Sequence, residues 1–350
     1  MRKLKYSQAI NEALKLAMSK DKKTIILGLG ADDPKGIFGT TKGLKEKFGI
    51  NRVFDVPTSE NSLTGICIGL ASEGFKPVLS HQRVEFALLT IEQIFNQAAK
   101  WNFMSAGKKN VPLVIRLIIG RGWGQGPQHS QSLEAIFGHI PGLIVVTPST
   151  AADAKGMLIS SIKNKNPVIF FEHRWLHENY GDVPKKYYET NLNTAKLLKN
   201  GNHVSIISNS FMAIESLKAS SLLKKYGINC EVLDLRVIRP LDRKSIIKTA
   251  KKNKKVLIVD NGLLTFGISS EVISTIIDEN FINKIKIKRI GNLDAPIPST
   301  RSLAKYSYPS YVSISIEVFK LLNKRPPREL LNSRDLFPSD QPDNNFKGPF

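Results

Sequence analysis

The feature that most limits the fold is an alternation. Short apolar runs of strand character, TIILGL (24–29), RVFDV (52–56), KPVLS (76–80), VPLVIRL (111–117), GLIVVTP (142–148) and PVIFFE (167–172), are separated by stretches with helical spacing, among them 89–104 and 149–164. Strands rich in Val, Ile and Leu that alternate with helices build parallel sheets, because each crossover carries the chain back along a face that its helix then covers. The first twenty residues read as a helix with Ile10, Ala13, Leu14, Ala17 and Met18 on one face. Ser149 or Thr150 is the N-cap candidate of the helix at 149–164. The rhythm breaks at the polar stretch 180–202 and resumes with HVSIIS (203–208), NCEVLDL (229–235), KVLIVD (255–260) and IKIKRIG (285–291). The pattern predicts an α/β chain of two doubly wound, mostly parallel sheet domains, 1–185 and 203–324, joined by a linker at 186–202. A mobile, Pro-rich tail is expected over 325–350. At 350 residues the chain is long enough to bury two cores.

A net charge of +21 raises the question of nucleic acid. The lysines are scattered, however, and the densest run, KKNKKV (251–256), reads as a solvated helix end before a strand. No zinc-finger spacing or aromatic–basic ribonucleoprotein motif accompanies the charge, so a nucleic-acid partner is not expected. Such a surface suits an acidic protein or a phosphorylated ligand. No apolar run reaches the roughly 18–20 residues that span a bilayer, and the N-terminus lacks the apolar core of a signal peptide. The two cysteines, Cys67 and Cys230, sit in apolar contexts, which points to a reducing compartment without a disulfide framework. The expectation is a cytoplasmic protein with no membrane partner.

Common enzyme signatures are missing. GLGADD (28–33) lacks the third glycine of a dinucleotide loop, no Walker loop ends in Gly-Lys-Ser/Thr, and no G-x-S-x-G elbow occurs. His173 and His177 have a metal-like spacing, but they follow a strand directly and lack an obvious third ligand. Three stretches remain. In 54–80 a strand ends at Pro57 and Glu60 opens a helix, where a glutamate serves either the macrodipole or chemistry. In 81–101 Phe86 precedes a helix, as core or as a stacking ring. In 120–132 glycines at 120, 122, 124 and 126 lead to His129, a structural imidazole or one that meets a ligand at a bare loop.

Together these stretches resemble one family: the beta subunit of the decarboxylating component of 2-oxo acid dehydrogenase complexes (pyruvate, branched-chain and acetoin types), thiamine diphosphate enzymes related to transketolase. The similar text is RVFDVPTSEN, IEQIFNQAAK, VPLVIR, GPQHSQSLEAIFGHIPGLIVVTPSTAADAKGM, NPVIFFEH, LDLRVIRPLD and DAPIP, spread over about residues 4–323. The resemblance implies a pyrimidine-binding domain followed by a transketolase C-terminal-like domain. It implies that Glu60 hydrogen-bonds the ring nitrogen of the cofactor's aminopyrimidine and favours its imino tautomer. Phe86 would stack on that ring, Gln82 would lie at a neighbouring pocket position, and His129 would serve proton or acyl transfer at the substrate mouth. Leu113, Ser161, Ile162, Asn164 and Asn166 match a structural potassium site, with Asn164 standing where the family commonly has a carboxylate. The Gly-Asp-Gly motif that holds magnesium in thiamine enzymes is absent, and YGDV (180–183) lacks its second glycine. The magnesium ligands are therefore expected from an alpha subunit, in an α2β2 heterotetramer with the cofactor where the subunits meet.

The chain departs from the family around the substrate. Leu29 and Gly30 stand in place of an acidic turn, Arg83 replaces an aromatic residue, His81 is unusual, and VDNGLLTFGISSEV (259–272) alters a Glu and a double glycine. These changes suggest a substrate other than plain pyruvate, with Arg83 suited to an anionic acceptor. The leading expectation is an oxidoreductase subunit that passes an acyl group to a lipoyl-bearing acyltransferase core. The alternative is a two-subunit transketolase-like or acyloin-forming carboligase that takes a ketose or phosphorylated substrate without a lipoyl partner.

Overall fold

A short strand, β1 (Arg2–Lys5), leads into α1 (Tyr6–Lys20), and the apolar stripe read from the sequence is the buried face of that helix. The computed structural model describes residues 2–120, 124–279 and 285–333. The described chain divides into two units, one made of 2–120 and 136–192, the other of 124–135, 193–279 and 285–333. The strand–helix alternation is thus met by a mostly parallel sheet in each unit.

In the first unit the chain continues through β2 (Thr24–Gly28), α2 (Leu44–Phe48), β3 (Val53–Phe54), α3 (Glu60–Ser72), β4 (Lys76–His81), α4 (Ala99–Met104), β5 (Val114–Ile119), α5 (Glu134–Gly138, whose first turn belongs to the second unit), β6 (Ile144–Val146), α6 (Ala151–Lys163), β7 (Val168–His173) and β8 (Tyr180–Val183). The strand order is β6-β7-β5-β4-β2-β3, parallel throughout. Strands β2, β4, β5 and β7 are buried along nearly their whole length, as a sheet covered on both faces requires. Thr150 is the N-cap of α6: its hydroxyl accepts from Asp153 N at 3.1 Å.

Three local expectations shift. The run at 111–117 enters the sheet only at Val114, because Leu113 N turns back onto Val111 O at 2.8 Å. The single helix expected over 89–104 is a 3₁₀ turn (84–90), a π-helical stretch (93–98) and then α4. Ile94, Ala98 and Ala99 still face inward, so burial is satisfied while the hydrogen-bond period slips. The polar stretch 180–202 holds two edge strands. One is β8, antiparallel to β1; the other is β9 (Lys196–Lys199), inside the expected linker 186–202. An edge strand needs one partner and one buried face, so its composition can pass for a loop.

The second unit contains β9, β10 (Val204–Ser208), α7 (Ser210–Lys224), β11 (Cys230–Asp234), β12 (Val237–Arg239), α8 (Arg243–Asn253), β13 (Lys255–Leu263), α9 (Ile268–Ile277), β14 (Lys286–Asn292), α10 (Arg301–Ala304), α11 (Tyr311–Leu321) and α12 (Arg328–Asn332). Its sheet runs β14-β13-β10-β11-β9, parallel except for β9. Of the stretch expected to be a mobile tail (325–350), residues 328–332 form α12 with Leu330 buried; residues 334–350 lie outside the described residues.

Candidate functional site

In the first unit the turns that follow β2, β3 and β4 meet at the carboxyl ends of these parallel strands, where α/β sheets place their ligands. Asp55 and Gln82 staple them together. Asp55 Oδ1 accepts from Gly30 N at 2.7 Å and Val56 N at 2.8 Å, and Gln82 Nε2 donates to Leu29 O at 2.8 Å. Gly30 takes φ +74°, a conformation that favours glycine. The result is a hollow, partly open to solvent, lined by Leu29, Val56, Glu60, His81, Gln82 and Phe86 among others. Three residues named from the sequence, Glu60, Gln82 and Phe86, thus share one site.

Glu60 is the first residue of α3, half-buried, and its carboxylate makes no hydrogen bond or ion pair among the described residues. A capping glutamate would be bonded to the helix end; this one faces the hollow uncommitted. His81, the last residue of β4, is 5% exposed, and its buried Nε2 has no partner among the described residues. Burial pushes its pKa down to about 4, so the ring is neutral at pH 7. A half-buried carboxylate, an aromatic face and an uncommitted imidazole nitrogen fit a flat, nitrogen-bearing aromatic ring, which is what an aminopyrimidine is.

Other polar groups of this unit are occupied elsewhere. Arg83 is buried and donates from Nη1 to Gly120 O at 3.0 Å, outside the lining of the hollow. His173 and His177 do not form a pair. His173 Nδ1 accepts from Trp175 N at 3.2 Å, whereas His177 Nε2 lies 3.3 Å from Glu172 Oε2. Glu172 is fully buried; despite the cost of burial, Arg116, bound to both carboxylate oxygens at 2.5 and 2.9 Å, and His177 hold its pKa down to about 2. Gly120 follows β5 at φ +88°, and a Cβ there would stand 2.6 Å from the His173 ring, so the first glycine of the bare loop is required by packing.

His129 belongs to the second unit and is half-buried there. Its loop is moored by side chains. Asn261 Nδ2 donates to Ser132 Oγ and Glu134 Oε1, and Tyr308 Oη to Ser130 O at 3.4 Å. A Cβ on Gly126 (φ +60°) would lie 2.4 Å from Ser299 Oγ, so that glycine permits close docking. Residues 121–123, which include the second glycine of the series, lie outside the described residues.

The residues matched to a potassium site gather where α6 ends. Ser161 and Ile162 are buried in its last turn and Asn164 is its C-cap. Ser161 O accepts from Asn164 N at 3.1 Å, Leu113 O from Val168 N at 2.8 Å, and Asn164 Oδ1 from Asn166 N at 2.9 Å.

One surface feature was missed in the sequence although its spacing was visible. Gly65 and Gly69 lie on the outer face of α3, with no atom within 4 Å of a Cβ built on either, and Ile66 between them is 54% exposed. Leu89, on the turn that packs against α3, is 65% exposed. Two glycines one helical turn apart thus leave a smooth, exposed apolar face on α3.

Comparisons with known proteins identify the family. A family model described as the transketolase pyrimidine binding domain matches residues 2–178, and one described as the transketolase C-terminal domain matches 193–314. The beta subunit of acetoin:2,6-dichlorophenolindophenol oxidoreductase from Cupriavidus necator is 36% identical over 332 residues, 92% of this chain and 98% of that protein. The chain belongs to the dehydrogenase beta-subunit family. Another beta subunit of that family, from the mitochondrial pyruvate dehydrogenase E1 component of Pisum sativum, is 37% identical over 306 residues, 86% of this chain and 85% of its own. A solved split-gene transketolase, an inactive beta4 tetramer, shares the fold with a TM-score of 0.74 at 21% identity, covering 92% of this chain and 99% of that one. The α/β class with two mostly parallel sheets is therefore the fold of this family as well as of this chain. Among the described residues no helix is long and apolar enough to cross a membrane.

Proposed function

We propose that this chain is the beta subunit of a thiamine diphosphate-dependent dehydrogenase of the 2-oxo acid or acetoin class, and that Glu60, Phe86 and Gln82 hold the cofactor's aminopyrimidine. The observation that carries the proposal is the uncommitted Glu60 carboxylate in the same hollow as the Phe86 ring. The bound cofactor supplies an electron sink for cleavage next to a carbonyl. Glu60 would bind and orient its ring and hold a proton at its carboxylate toward a ring nitrogen; Phe86 would lie against the ring and exclude water from it. His129 donates or accepts a proton on the substrate side. Magnesium and the diphosphate fall to an alpha subunit in an α2β2 assembly, and the exposed glycine face of α3 supports a protein neighbour beside the hollow. A lipoyl-bearing acyltransferase is the acceptor we assign, and the two buried free cysteines suit the cytoplasm. For potassium, the carbonyls of Leu113 and Ser161 would serve as ligands alongside N–H groups that they already accept.

The test is calorimetric titration of thiamine diphosphate and magnesium into this chain alone, and into its complex with the alpha-type chain that pairs with it. Binding to the complex that Glu60→Gln weakens supports the proposal. Tight binding to the isolated chain would refute the shared site, and no binding to either would refute the function.

A further inference from the structure

His81 is the one member of the hollow with a buried polar atom left over. The residue ends β4, is 5% exposed, lines the same space as Glu60 and Phe86, and its Nε2 finds no partner among the described residues. A buried nitrogen without a partner is destabilising, and an apolar ring of similar size would fill the space without that penalty. Its retention in a binding hollow therefore calls for a group that arrives later. The residues nearest in sequence offer none: Gln82 Nε2 is bonded to Leu29 O, and Ser80 Oγ accepts from Arg116 Nη1 at 3.1 Å. A neutral imidazole suits the role, since it can donate or accept depending on the tautomer, with no charge to desolvate.

We propose that His81 Nε2 is a second hydrogen-bonding contact for the heteroaromatic amine that Glu60 and Phe86 hold. The inference rests on the reading of the hollow given above, and deepens it. It makes His81 a cofactor-binding residue that trades stability of the empty chain for affinity.

Two opposite shifts test this. His81→Phe removes the unpaired nitrogen and keeps an aromatic filler. The empty chain should then melt about 2–4 °C higher, whereas the dissociation constant of thiamine diphosphate for the complex with the alpha-type chain, measured by calorimetry, should rise about tenfold, one neutral hydrogen bond's worth. His81→Gln, whose amide can stand near the Nε2 position, should restore most of the affinity. If wild type binds and Glu60→Gln weakens binding, but His81→Phe binds as wild type does, the role of His81 is overturned and the function survives. If wild type itself does not bind, the functional reading fails first. A fall in both melting temperature and affinity in His81→Phe, unrelieved in His81→Gln, would make His81 a packing residue and overturn the inference.

Discussion

Asn261 Nδ2 stands 3.1 Å from Glu134 Oε1 and 2.9 Å from Ser132 Oγ, so one amide on β13 holds the loop that carries His129. Glu134 is 1% exposed, and burial, reinforced by the nearby Asp260 carboxylate, raises its pKa to about 7. A carboxyl group raised in the folded state favours folding below its unfolded pKa, near 4.5, and that contribution disappears as pH rises through about 7. Glu134→Gln keeps an acceptor for Asn261 but does not titrate. Denaturant melts should show the stability of wild type relative to Glu134→Gln falling between pH 4.5 and 8, by at most about 3 kcal/mol. Parallel curves across that range would mean that Glu134 is ionised in the fold.

The Arg116–Glu172 pair gives the opposite sign. Glu172 has its pKa lowered to about 2, so the pair stabilises the fold above the unfolded value, and the contribution is lost as pH falls from about 4.5 toward 2. Arg116→Met would leave a fully buried carboxylate with only His177 beside it. We expect a loss of about 3–5 kcal/mol at pH 7, read from chemical unfolding, and a smaller loss at pH 3. A variant within 1 kcal/mol of wild type at pH 7 would show that water replaces the guanidinium.

Gly65→Leu and Gly69→Leu separate folding from assembly. Neither glycine has a neighbour within 4 Å of its absent Cβ, and both lie inside a helix, where any side chain restricts the unfolded chain more. The isolated variants should melt at or above the wild-type temperature. Association with the alpha-type chain, followed by analytical ultracentrifugation, should weaken by about tenfold or more, since an inserted leucine holds the two surfaces apart. Unchanged association would move the interface elsewhere.

His129→Ala tests the division of labour in the proposed site. Proton transfer by a positioned side chain is worth about 10²–10⁴ in rate. Turnover by the reconstituted complex should fall within that range while thiamine diphosphate affinity changes by less than about threefold. A large loss of affinity would place His129 on the cofactor instead.

Much of this was legible in the sequence because strands buried on both faces advertise themselves. The runs at 24–29, 76–80 and 167–172 became β2, β4 and β7 with little change of boundary. Edge strands did not: β8 and β9 are mostly half-buried or exposed and read as linker. Glu60, Gln82 and Phe86 were found through resemblance, and the structure adds that they share one hollow. His81 registered only as an oddity, because an orphaned nitrogen is a property of packing rather than pattern. The mooring of His129 by Asn261 and Tyr308 could not be read at all, since no short-range spacing links residues so far apart in the chain.

That separation bears on how the protein is made. Ser130, Ser132 and Glu134 leave the ribosome early, but the side chains that fasten them follow 178, 129 and 127 residues later. Until Asn261 has emerged the loop that bears His129 has none of these anchors, and until Tyr308 has emerged it lacks the last. Closure of such distant contacts is slow compared with local helix formation. The first sheet can assemble during synthesis, whereas the mooring of the histidine loop waits for nearly the whole chain, so a nascent chain halted before Tyr308 would present the hollow at Glu60 without a fully fastened His129.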